Sequence, residues 1–292
     1  MHYLIDKDSP LVRKVSDHYE MSSLPDPAES VAIDLDAPLH VPRIEAGGNI
    51  VSNVGIVAMG NGTSFLGRIV SLHGSILVSG KIIASEVRAD GSIEVESINS
   101  EGDIFSGDKI LSEGDLVSQG NLVARRGISA GGKVFARETI FAGTGGIVAD
   151  SIEGITANQS IQSFGVVRSR GPITSPRIDS ADRLFSESGN IVAIDGIQAK
   201  SCFSGGKIIV REGGISCLGT ITAKEIEATR IFAGTSPFSP GNMAFDSSFG
   251  NVIRCDRLSG EILSGRQVPF PKEEAGPSPE IKKKSRNGPS II

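Results

Sequence analysis

The chain has 292 residues and a formal net charge of −5. No global basic field draws it to nucleic acid, and no nucleic-acid partner is expected. Hydrophobic residues make up 39%, aromatics only 5%, glycines number 36 and tryptophan is absent, too few large rings for a conventional globular core of this size.

In chain order, residues 1–40 carry no repeat. They hold Pro10, Pro25, Pro27, Pro38 and many acidic residues, and read as a flexible N-terminal tail. Residues 11–18 have the composition of a short helix, with no 3.6-residue period after them. The start, MHYLIDKDSPLVRK, lacks the long apolar run of a signal peptide. No window reaches the ~18 apolar residues of a transmembrane helix. The expected compartment is the cytoplasm. The apolar MHYLI offers weak peripheral contact with the inner membrane, since stable anchoring needs a second signal.

A repeat begins near Val41, is irregular to about Gly67, and becomes regular from Arg68. Its clearest stretch is 116–142, LVSQGNLVARRGISAGGKVFARETIFA. There Leu116, Leu122, Ile128, Val134 and Ile140 recur every six residues, each followed two places later by Ser118, Ala124, Ala130, Ala136 or Ala142. The pattern continues to Ile231 and Ala233 in steps of mostly five to seven residues. Positions i and i+2 of a strand face one way, so each unit sends one large and one small side chain inward and the residue between them outward. A helix is excluded, because a six-residue step turns ~240° net and builds no single apolar face. Consecutive antiparallel hairpins need longer strands and clearer two-residue turns.

The pattern therefore predicts an all-β fold: a single-stranded parallel β-helix with about 17–18 residues per three-strand coil, flanked by disordered tails. Ile76, Ile93 and Ile110 are each 17 residues apart, which suits three sides of a triangular prism. Residues 41–235 would make about eleven coils, a rod on the order of 50 Å long at ~4.8 Å per coil. Residues 236–267 read as a C-terminal cap or as last coils, with Val252, Leu258 and Ile262 partly resuming the spacing. Phe238, Phe245 and Phe249 fall there and are candidates for self-association, because a solenoid end is an open apolar face with unpaired edges. Residues 268–292 read as a disordered basic, proline-rich tail. Its Lys282, Lys283, Lys284 and Arg286 are read as solvated.

Chemistry-bearing motifs are few. GISAGGKV at 127–134 matches Gly-x-x-x-x-Gly-Lys of a phosphate loop, but Val134 stands where a Ser or Thr should hold Mg²⁺, and no helix follows. The glycines fit the repeat as turn residues. Among the four histidines only His73 lies in the regular coils, and it reads as a turn residue rather than an acyltransferase base. Asp179 and Asp182, and Asp103 and Asp108, lie near predicted turns, where Asp is favoured for backbone reasons. No paired-carboxylate site stands out. Cys202, Cys217 and Cys255 make no Cys-x-x-Cys and no disulfide framework, which suits a reducing compartment. Cys217 should fill a small inward position. Catalytic, cofactor and metal residues are expected to be none.

The repeats GDIFSGDKI, GDLVSQGNLVA and GKVFARETIFAG resemble the bactofilins, bacterial polymer-forming cytoskeletal proteins, over about residues 68–235. The same Gly-Asp-Ile pattern is similar to β-helical regions of larger bacterial regulatory proteins. The bactofilin resemblance implies a β-helix core between disordered tails, in the cytoplasm and in some members at the membrane. It implies nucleotide-independent filaments formed by docking solenoid ends, and scaffold roles in cell shape or in positioning other proteins, with the chain itself as chief partner. Two other functions fit a β-helix. One is a phage or surface fibre-like module binding a glycan or host protein. The other is a carbohydrate-active enzyme, for which Asp179 would be the residue to test.

Overall fold

The computed structural model describes residues 2–21, 30–41, 44–46, 49–58, 68–234 and 252–269. Its regular structure is 36 β-strands and, among the described residues, no helix. They stack, almost all in parallel, into a β-solenoid of about twelve turns. At ~4.8 Å per turn the rod is on the order of 55 Å long.

Each turn has three faces, and each face is a ladder of like residues. On face one Ile76 pairs with Ile93, Ile110, Ile128 and Ile147 in succession. Face two runs Ile98, Leu116, Val134, Ile155 and Ile173. Face three runs Ile104, Leu122, Ile140, Ile161 and Ile178. These aliphatics are essentially fully buried, each contributing roughly 1.5–3 kcal/mol of burial. The residue two places on faces the same interior and must be small, because three faces converge on a narrow axis. Ala124, Ala136, Ala142 and Ala149 fill these places.

Serine takes the small place repeatedly, and there it bonds. Ser106, Ser118, Ser186 and Ser204 donate to the carbonyls of Gly91, Gly102, Gly171 and Gly189 at 2.7–2.8 Å. Each acceptor lies 15 or 16 residues earlier, in a corner of the preceding coil. The hydroxyls thus serve corner carbonyls, two of which, those of Gly102 and Gly189, also accept the N–H groups of Gly120 and Gly206 at 3.2 Å.

The step between aligned residues is 17 from Ile76 to Ile93, 18 from Leu116 to Val134 and 21 from Val134 to Ile155. The widest of these coils has enlarged corners, at which Gly146 and Gly154 adopt φ of 79° and 82°, a region L-side chains avoid. Ile152, at the tip of the second corner, is 77% exposed.

The N-terminal part departs from the expected tail. His2–Asp6 pairs in parallel with Ser30–Asp34, and Tyr19 aligns with Leu39. Ile5, Met21, Val31, Ile33 and Leu39 join the continuous core. Residues 11–18 hold no helix. Val12–Val15 and His18–Met21 form an antiparallel hairpin, turned at Ser16 with φ of 56° and at Asp17. The first coils step 28 residues from Tyr3 to Val31 and 20 from Tyr19 to Leu39, so no six-residue period marks them. Of the apolar start, residues 2–5 belong to this strand, with Ile5 turned into the core and Leu4 62% exposed.

Beyond Gly234 the coil register resumes. Ile221 aligns with Ile253, Ile226 with Leu258 and Ile231 with Ile262, which makes 252–264 last coils. Arg266–Val268 is a further strand that ends the span read as cap or last coils and takes in Val268, the first residue of the span read as the disordered tail. The rest of that tail, with its basic cluster, lies outside the described residues. So do Phe238, Phe245 and Phe249.

Candidate functional site

Two features of the rod differ from its uniform interior: its ends, and the outward ladder of face three.

At the N-terminal end the outer edge of His18–Met21 is occupied by Val12–Val15, which carries Arg13 and Lys14. Charged residues on a short strand blunt an edge against further pairing. Lys14 reaches Asp36 at 3.1 Å. Hydrogen bonds from Tyr19 and from Lys14 hold the Asp36 carboxyl below its ordinary range. The His18 and His40 rings stack at 3.8 Å, with Asp17 3.1 Å from His18 Nδ1. Burial, then the neighbouring His18, lowers the pKa of His40.

Among the described residues, the C-terminal end has no such hairpin, although the N-terminal end also leaves His2–Asp6 and Ile44–Ala46 paired on one side only. Arg257–Ser264 pairs only with Glu225–Ala233, and Arg266–Val268 only with Val252–Arg254, among the described residues. Their outer edges carry no described strand. Leu258 and Ile262 pack against the core while only partly buried, and Leu263 is 42% exposed.

On face three the outward residue of each coil changes character along the rod. Phe105, Val123 and Phe141 stack in register. Phe141 then aligns with Gln162, Gln162 with Asp179, and Asp179 with Gln198. Ser216 and Phe232 complete the ladder. A groove follows its polar part, made of two hollows of about 390 Å³ and about 260 Å³ that share Asp179 and Gln198.

The larger hollow has a backbone origin. The position before the leading aliphatic is Arg177, Gly196, Gly214 and Arg230 in successive coils. Two coils without side chains lie between two with guanidinium groups, and the gap is the hollow. Asp195 and Glu212 line its corner side. At the other end Phe164 is 66% exposed and meets Phe141 edge-to-face, ring centres 6.0 Å apart at 84°. Asp179 accepts from Arg177 Nε through Oδ2 at 2.8 Å. Its Oδ1 is sheltered from solvent and has no hydrogen-bond partner.

The other motif residues disperse. Asp182 is at the corner after face three, away from the Asp179 ladder. Asp103 and Asp108 sit at opposite ends of the strand Ile104–Ser106. The first accepts from Asn121, and the second pairs with Arg126 at 3.0 Å. His73 is exposed in a bend. In 127–134, Gly127–Ala130 is a strand and Val134 opens the next one, so the GISAGGKV stretch is ordinary repeat. Cys217 is buried in a small position beside Ala199 and Ala233. Its hydrogen bond with Cys202, together with burial, pushes the Cys202 thiol well above its ordinary pKa.

No family model, curated protein or solved structure matches the chain. The face-three groove was missed because the repeat assigns every i+1 residue simply outward. Reading those residues down the coils in register brings Phe141, Gln162, Asp179 and Gln198 together, and that alignment needs the variable coil lengths.

Proposed function

We propose that this chain is a structural scaffold, a rod that self-associates through its ends, with the C-terminal end as the docking edge. The observation that carries the reading is that, among the described residues, both ends leave strand edges unpaired, including His2–Asp6 and Ile44–Ala46 at the N-terminal end, while only the N-terminal end has a face closed by a charged hairpin. Among the described residues, the C-terminal end offers the outer edges of Arg257–Ser264 and Arg266–Val268, beside the half-exposed Leu263. Unpaired edges next to apolar surface template pairing with another chain. A copy approaching by a two-fold rotation meets an identical, self-complementary edge. The resemblance of the repeats to bactofilins fits the same role, with the interior used for stacking rather than chemistry. Such assembly would need no nucleotide and could position other proteins along the rod.

Sedimentation velocity over a range of concentrations tests this. The unaltered chain should shift from monomer to dimer as its concentration rises. Leu263→Lys should remain single rods with an unchanged melting temperature, and Leu4→Lys at the opposite end should behave like the parent. A chain that stays monomeric throughout, or a Leu263→Lys variant that assembles as well as the parent, would sink the proposal.

A further inference from the structure

We infer that the face-three groove binds a neutral, extended glycan laid along the rod axis. The groove runs from Phe141 and Phe164 to Phe232, five coil steps or about 24 Å. Gln162, Asp179 and Gln198 present one polar side chain per coil. A β-linked sugar chain advances by close to one coil spacing per residue, so successive sugars meet successive rungs. Planar amides and a carboxylate match vicinal hydroxyls, which both donate and accept. The Asp179 carboxylate, held by Arg177 Nε through Oδ2 at 2.8 Å, stands where the two hollows meet. The exposed Phe164 ring, braced edge-on by Phe141, gives the apolar face of a pyranose a platform at the groove's end.

Other occupants fit less well. The three carboxylates Asp179, Asp195 and Glu212 outnumber the guanidiniums of Arg177 and Arg230 in the larger hollow, a net negative charge that disfavours a phosphate backbone or an acidic polysaccharide. A peptide adding as a strand needs a free backbone edge. Mid-rod on face three, each strand is paired on both sides, as Arg177–Ser180 is with Ser160–Ser163 and Gly196–Ala199. An acyl chain would leave the polar rungs buried without partners. The Gly196 and Gly214 positions open the floor between Arg177 and Arg230, and those guanidiniums can donate to ring and glycosidic oxygens.

Calorimetric titration of the full chain with cellohexaose and chitohexaose, with hexagalacturonate as the charged comparator, tests this. The same titrations on Leu263→Lys separate groove binding from end association. At least one neutral hexasaccharide should bind both proteins in the micromolar-to-millimolar range. Phe164→Ala and Asp179→Asn should each weaken binding by about five-fold or more with melting temperature unchanged. Phe185→Ala, an outward ring on face one, should leave binding as it is. Four results would overturn the inference: no binding of either neutral sugar at millimolar concentration, binding of hexagalacturonate alone, equal loss in Phe185→Ala, or loss of self-association in Phe164→Ala, which would make face three a contact between copies.

Discussion

Ser186 and Ser175 occupy equivalent inward small positions and differ in one respect. Both are buried, at 0% and 2% exposure. The Ser186 hydroxyl donates to the Gly171 carbonyl at 2.8 Å, whereas the Ser175 hydroxyl has no partner. Changing either to alanine removes the same atom from the same kind of site, so any packing loss is common to both. Ser186→Ala also leaves a buried carbonyl without the donor that serves it, which costs about 1–3 kcal/mol. Ser175→Ala removes a hydroxyl that was desolvated for no return, so its effect should lie between neutral and roughly 1 kcal/mol of stabilisation. Urea unfolding followed by circular dichroism resolves such a difference as a shift in midpoint. Unfolding of a repeat array need not be two-state, so midpoints of the two variants under identical conditions are the quantity to compare. Equal losses, or a larger loss for Ser175→Ala, would refute the view that the inward serines act by bonding the corner of the preceding coil.

At the enlarged corner, Gly154→Ala places a Cβ against the Pro172 carbonyl oxygen at a φ of +82°. It should destabilise by at least about 2 kcal/mol, and a variant that melts with the parent would contradict the corner geometry. For the N-terminal hairpin the sign follows from His40. Its folded pKa lies below the ordinary 6.5, so the unfolded chain binds the proton first. The stability tied to the stack is intact above that value and falls as the pH drops through it. Hydrogen exchange should show residues 12–21 losing protection between about pH 7 and about pH 5 while the central coils keep theirs; unchanged protection would contradict the stack's role. Cys202, buried and with a raised pKa, should resist alkylation at neutral pH in the folded chain and react on unfolding. Rapid labelling of the native protein would show that the core is more open than the structure has it.

Much of the architecture is legible in the residues. The large aliphatic with a small partner at i+2 marks both inward positions and rules out a helix, and the Ile76, Ile93, Ile110 spacing is the register observed on face one. Cys217 could be assigned to a small inward place by the same rule. The N-terminal coils were not legible. Periodicity needs corners of constant length, and the hairpin Val12–Val15 and His18–Met21 interrupts the first coil. Nor could the pattern separate an Ala that fills space from a Ser that also bonds a carbonyl 15 residues earlier, because the acceptor is a backbone atom whose identity depends on coil length. The groove was invisible for a related reason: Gly196 and Gly214 look like any other turn glycines until Arg177 and Arg230 are seen in line with them. Asp179 drew notice as a member of a pair with Asp182, which the fold separates, and as the residue to test for an enzyme; its neighbours are Gln162 and Gln198, one coil away on either side.

The central functional proposal, a rod that joins through its C-terminal end, is tested most directly by electron microscopy of the full chain carrying a label at its N-terminus. The expected particles at high concentration are rods of about 55 Å joined end to end, with labels at the outer tips and none at the joint. Single rods at every concentration, rods joined side by side, or labels at the joint would contradict it.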